Sequence, residues 1–199
     1  MHYLISPDHK LESENPRPRI NGGILQASVS DRQALVQMLP PGLYDASVAL
    51  AREYVAAGRQ EDVLPSALTG TFFSAPICAR RWLSLASPGP EHDGEDDYFS
   101  SDLSYERLKA TFGKMGAGGR SEDERVRISF LYGDEDQYVP KWVDKEALVE
   151  GWESFVKEGG GIVDEGSGVV KGANHSLDGV PEEVLQDVVK KVVGFLERI

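Results

Sequence analysis

Three short apolar runs, each followed by at least one stretch of helical period, constrain this chain more than any other feature. The first, Gly22-Gly23-Ile24-Leu25-Gln26-Ala27, is bounded by Asn21 and Ser28 and predicts a buried strand. The second, Val126-Arg127-Ile128-Ser129-Phe130-Leu131-Tyr132, ends at Gly133, and the third covers 161–170. Helices fill the intervals. Ser30-Asp31 caps a helix through Leu39 that Pro40-Pro41 stops, and a second helix over 45–57 meets Gly58. Leu148, Val149, Trp152 and Phe155 recur at helical spacing over 145–157, and a last helix runs from Pro181 through Val184, Val188, Val192 and Phe195. Strands alternating with helices predict an α/β fold whose mostly parallel sheet is covered on both faces. Residues 64–119 interrupt that alternation. Pro65, Pro76, Pro88 and Pro90 punctuate short helical pieces over 77–85 and 105–112, and the region reads as an insertion in a single domain of 1–199.

Charge narrows the choice of partner. With 21 Lys+Arg against 33 Asp+Glu the net charge is −12, which argues against a nucleic-acid groove or an anionic membrane surface. Seven of the acids lie between Glu91 and Glu106, where no Lys or Arg occurs. No apolar run is long enough to span a bilayer, and the single cysteine cannot form an internal disulfide. The start, Met1-His2-Tyr3-Leu4-Ile5-Ser6-Pro7-Asp8, lacks a signal-peptide pattern, so a cytoplasmic location is the expectation.

Two loops stand at the C-terminal ends of predicted strands, where α/β proteins place their sites. One is the acidic Gly133-Asp134-Glu135-Asp136-Gln137-Tyr138-Val139-Pro140, and the other is Gly172-Ala173-Asn174-His175-Ser176-Leu177. An acid after one strand and a histidine after the next is the later part of the Ser, Asp/Glu, His chain order of α/β-hydrolases. The chemistry requires the pair: a carboxylate fixes the imidazole tautomer and stabilises its charged form, while the other ring nitrogen takes the nucleophile's proton. Asp134, Glu135 and Asp136 all qualify as the acid on position alone.

The acid loop resembles the superfamily's Gly-x-x-Asp-x-x-Val-Pro segment, which implies Asp136, and Gly172-Ala173-Asn174-His175 resembles its terminal Gly-x-x-His, which implies His175 as base. Four longer segments are similar to a fungal family of α/β-hydrolases, once labelled only as a domain of unknown function. They are Gly23-Ile24-Leu25-Gln26-Ala27-Ser28-Val29-Ser30-Asp31-Arg32, Arg81-Trp82-Leu83-Ser84-Leu85-Ala86, Asp96-Asp97-Tyr98-Phe99-Ser100-Ser101-Asp102-Leu103 and Val139-Pro140-Lys141-Trp142-Val143-Asp144-Lys145. The resemblance runs from about His2 to Phe195. That family includes a siderophore ester hydrolase acting on fusarinine-type hydroxamate esters, so the resemblance implies a serine ester hydrolase with a small-molecule ester substrate. It also implies that 64–119 forms a cap, where Arg81, Trp82 and Tyr98 contact substrate. A plainer reading makes Trp82 the buried face of a short helix.

One departure stands out. No Gly-x-Ser-x-Gly elbow occurs in the 199 residues, and Ser28 and Ser176, the substitutes nearest the site, are not in such a turn. The chain therefore reads as the C-terminal part of a hydrolase, a partial α/β-hydrolase fold whose nucleophile precedes Met1. Loss of a triad nucleophile costs about 10⁶ in turnover, so the competing expectation is an inactive fragment or pseudoenzyme that binds protein, or itself, through an exposed sheet edge. No metal and no organic cofactor is expected. Glu91-His92-Asp93-Gly94-Glu95-Asp96-Asp97 lacks the ligand spacing of a calcium loop, Gly116-Ala117-Gly118-Gly119 lacks the phosphate-loop order, and His2, His9 and His92 lack metal-ligand spacing. Cys78 reads as a small packing side chain.

Overall fold

The computed structural model describes residues 20–70, 72–89, 94–95, 97–115 and 125–199. The chain divides into two compact units, one of Met1–Ser28, Ser104–Gln137 and Trp142–Ile199, the other of Val29–Leu103 and Tyr138–Lys141. The boundary after residue 28 lies well before the 64–119 insertion read from the sequence. The first unit holds β1 (Gly22–Gln26), α5 (Tyr105–Thr111), β2 (Arg127–Gly133), α6 (Lys145–Glu158), β3 (Ile162–Val163), β4 (Gly168–Val170) and α7 (Glu182–Glu197). The second holds α1 (Asp31–Met38), α2 (Leu43–Ala56), α3 (Ser66–Thr69) and α4 (Ala79–Ala86).

β2 is the axis of a parallel sheet. β1 pairs along one side from Gly22↔Arg127 to Gln26↔Leu131, and β3 and β4 share the other side. The run expected as one strand over 161–170 is broken. Ile128 pairs with Val163 and Leu131 with Gly168, so five steps on the outer track face three on β2. The two extra residues loop out, and side chains replace the lost ladder bonds. Ser167 Oγ accepts from the Phe130 N–H (2.9 Å), while buried Asp164 accepts from the Gly166 N–H (2.9 Å) and from the Arg198 guanidinium through both carboxylate oxygens (2.9 Å each). Gly166-Ser167-Gly168, with Asp164 two residues before it, carries the local turn chemistry for this bulge.

Strand alternation sends Phe130 and Tyr132 to one face of the sheet and Leu131 to the other. On the first face α6 supplies fully buried Trp152, which stacks on Phe112 at 5.3 Å and meets Phe130 and Tyr132 rings at 5.6 Å each. On the second, Leu131, Val170 and Ala173 pack with Val184, Val188 and Val192 of α7. α6 begins where the sequence changes period because Asp144 Oδ1 accepts the Ala147 N–H (3.0 Å), and α7 follows Pro181 with Glu182 and Glu183 in its first turn.

The second unit packs Leu35, Val48, Ala51, Leu64, Ile77 and Leu85 around Trp82. Its polar tie is buried Arg32, which donates to Asp97 (2.8 Å) and forms a second ion pair with Asp102. Ser30 caps α1 by accepting the Gln33 N–H (3.0 Å) and also reaches Ser100 Oγ (2.6 Å). Among the described residues no helix is long and apolar enough to cross a membrane.

Candidate functional site

The site forms where β2 and β4 end. β2 stops at Gly133, and the chain turns through Asp134 and Glu135 into Asp136; β4 stops at Val170, and the chain turns at Gly172 into His175. The two turns are laced together by the backbone: Asp134 N–H donates to Val170 O (3.2 Å) and Glu135 N–H to Ala173 O (3.0 Å). This close approach dictates both motif glycines. A Cβ on Gly133 would lie 2.3 Å from Ala173 O, and Gly172 has φ +73°, a left-handed conformation that β-carbons disfavour.

Within that frame His175 Nδ1 lies 2.8 Å from Asp136 Oδ2. The carboxylate side chain is 1% exposed and the imidazole 34%, so the ring reaches solvent while its partner does not. With Asp136 ionised, Nδ1 carries the proton and donates it, leaving the Nε2 lone pair as the basic position. The three acids of the loop have separate occupations. Asp134 Oδ1 accepts the Gly172 N–H at 2.6 Å, its backbone carbonyl takes Lys145 Nζ, and its carboxylate lies 3.9 Å from Lys171 Nζ. Glu135 is exposed. Asp136 alone of the three is placed against the histidine ring.

Tyr132, the last apolar residue of β2, is 3% exposed. Burial, reinforced by the charge of Asp136, pushes its phenol above the ordinary range, so it stays neutral under the carboxylate. Two glutamines absent from the sequence-derived site also touch His175. Gln137 Oε1 accepts the His175 N–H (3.4 Å), and Gln26 Nε2, at the end of β1, donates to the His175 carbonyl (3.0 Å). Gln137 fills a variable position of the acid-loop motif, and only the pairing of β1 with β2 brings Gln26 to the histidine turn.

The residues expected to contact substrate all lie in the second unit. Arg81 is exposed, whereas Trp82 is fully buried and Tyr98 is 7% exposed. The indole N–H of Trp82 donates to Ser47 Oγ (3.0 Å), and Phe73 meets its ring at 6.1 Å, so Trp82 is a core side chain, as the helical-face reading has it. The physical cause is position: Trp82, Leu85 and Ala86 share the apolar face of α4, while Arg81 lies on the other. Ser28 follows the turn after β1, and Ser176 is exposed beside His175; neither lies in a strand-to-helix elbow. Of the acidic cluster, 91–93 and 96 fall outside the described residues, as do Gly116-Ala117-Gly118-Gly119, His2 and His9. Among the described residues no group of three or more His, Cys, Asp or Glu side chains is arranged to hold a metal.

Residues 1–197 match the family described as "Protein of unknown function (DUF1749)". The chain is 37% identical over 230 residues to the fusarinine C esterase of Aspergillus fumigatus, an alignment covering 100% of this chain and 63% of that protein. It is 35% identical over 201 residues to an esterase of Emericella nidulans, covering 90% and 53% respectively. A solved structure, a siderophore hydrolase from Aspergillus fumigatus, matches with a TM-score of 0.75 at 33% identity, covering 99% of this chain and 62% of that one. The chain thus spans less than two thirds of the length of each of these relatives.

Proposed function

The chain belongs to the family described as "Protein of unknown function (DUF1749)", and from that premise we propose that it carries the acid and the base of a serine ester hydrolase, Asp136 and His175. The observation that carries this reading is the 2.8 Å contact between His175 Nδ1 and the buried Asp136 carboxylate. In the proposed cycle Asp136 holds the imidazole with Nε2 unprotonated. Nε2 takes the proton of a serine hydroxyl as its oxygen attacks the ester carbonyl, and then returns that proton to the departing alcohol oxygen. Water enters by the reverse use of the same base, releasing the acid and restoring the serine. Asp136 remains ionised throughout and stabilises the transient imidazolium.

The serine and the oxyanion donors are assigned to a segment outside these 199 residues, because no Gly-x-Ser-x-Gly sequence occurs within them. For the substrate, similarity to a fusarinine C esterase and to a siderophore hydrolase supports an ester of the hydroxamate siderophore class. Exposed Arg81 remains the residue assigned to substrate contact in this reading.

The test uses the protein purified from its source cells at its native length, with hydrolysis of fusarinine C and labelling by a fluorophosphonate as readouts. His175→Ala is expected to lower turnover by about 10⁶ and Asp136→Asn by about 10⁴, the second because the wrong tautomer is held. Turnover by His175→Ala equal to wild type removes the reading. Wild-type protein that neither hydrolyses nor labels favours the protein-binding alternative.

A further inference from the structure

His175 is gripped through its backbone as well as through its ring. Its N–H meets Gln137 Oε1 at 3.4 Å and its carbonyl accepts from Gln26 Nε2 at 3.0 Å, the latter across 149 residues of sequence. The Gln26 arm is braced. Ala27, the next residue, has φ +51°, and its N–H donates to Leu131 O at 3.1 Å, extending the β1–β2 ladder one rung past Gln26. Beyond His175, Leu177 has φ +61°. Within the described part of this unit, Ala27 and Leu177 are the non-glycine residues with positive φ, and they flank the two ends of this one hydrogen bond. Left-handed backbone at Ala or Leu costs free energy and persists only where the surroundings fix it.

We propose that Gln26 is a positioning residue for the base: its amide, aimed by the left-handed turn at Ala27, holds the His175 carbonyl so that the imidazole stays in register with Asp136. The inference rests on the Asp136–His175 pair acting as proposed above. Gln26 touches neither ring nor carboxylate; it acts by limiting the swing of the histidine turn. Removing it leaves Asp136 and His175 in place but lets their bond open more often.

The measurement is the exchange rate with water of the His175 Nδ1–H proton, observed as a downfield resonance by NMR on the protein at its native length. Three variants are compared with wild type: Gln26→Met, which keeps length and removes the donor, Ala27→Gly, which relaxes the turn, and Asp136→Asn, which removes the acceptor. A single neutral hydrogen bond contributes roughly a five- to tenfold factor to an equilibrium, so Gln26→Met is expected to speed exchange about that much with the thermal midpoint unchanged. Ala27→Gly should speed it less. An exchange rate in Gln26→Met within about twofold of wild type overturns the positioning role. A resonance missing from wild type, or unaffected by Asp136→Asn, removes the acid–base reading itself, and the two failures are therefore distinct.

Discussion

At Gly133 one methyl group decides whether the acid turn and the histidine turn can meet. The Cβ of Gly133→Ala would fall 2.3 Å from Ala173 O and 3.0 Å from its carbonyl carbon, both backbone atoms that cannot rotate away. The variant is expected to lose about 1–3 kcal/mol in urea denaturation and to lose the Nδ1–H resonance of His175 with it. Stability unchanged within error would show that the two turns are not held as close as described. Position alone left Asp134, Glu135 and Asp136 open as the acid; only the resemblance to the Gly-x-x-Asp and Gly-x-x-His segments singled out Asp136 and His175, three residues after Gly133 and Gly172. Gln26 and Gln137 were not legible, since a glutamine amide finds its partner through tertiary placement and no spacing rule announces it. Trp82 had two readings on sequence alone, an aromatic in a cap or the apolar face of a helix, and only the enclosed Ser47 contact separates them.

Among the elements, the break between β3 and β4 has the most to say about pH. Burial by itself would raise the pKa of Asp164, but the bidentate Arg198, the Gly166 N–H and Arg127 outweigh it and hold the carboxyl below its ordinary value. A carboxyl depressed on folding adds stability that is complete above the unfolded value of about 4 and is lost as pH falls through the folded value. Urea midpoints should therefore drop on acidification below about pH 4 in wild type, and Asp164→Asn should flatten that drop. Parallel curves for the two proteins would place the acid sensitivity elsewhere. Helices were the easier elements to read. Asp144→Ala, removing the side chain that accepts the Ala147 N–H, is expected to cost about 1 kcal/mol in thermal unfolding. The β3–β4 break left a trace in the sequence, the polar Asp164-Glu165-Gly166-Ser167-Gly168 inside the expected strand, but the two-residue excess is fixed only by the register of β2.

On the scale of the whole molecule, the alternation of strand and helix was sufficient to place a parallel sheet between α6 and α7, but not to locate the limits of the two units. The second begins at Val29 because α1 and α2 share an apolar core with Trp82 and because Arg32 reaches Asp97 and Asp102, some 65 to 70 positions away. Arg32→Ala removes the cation of a buried ion pair, and a loss of about 3–5 kcal/mol is expected, read as an early transition in thermal unfolding. An unshifted transition would show that this ion pair contributes nothing to the unit. A different kind of order is written into the contacts at His175. The bond from Asp136 closes 39 residues of chain and the bond from Gln26 closes 149. Loop-closure entropy makes the second about 1 kcal/mol costlier to bring together. Closure entropy thus favours the meeting of acid and base over the meeting of either with the end of β1, although β1 leaves the ribosome well before them.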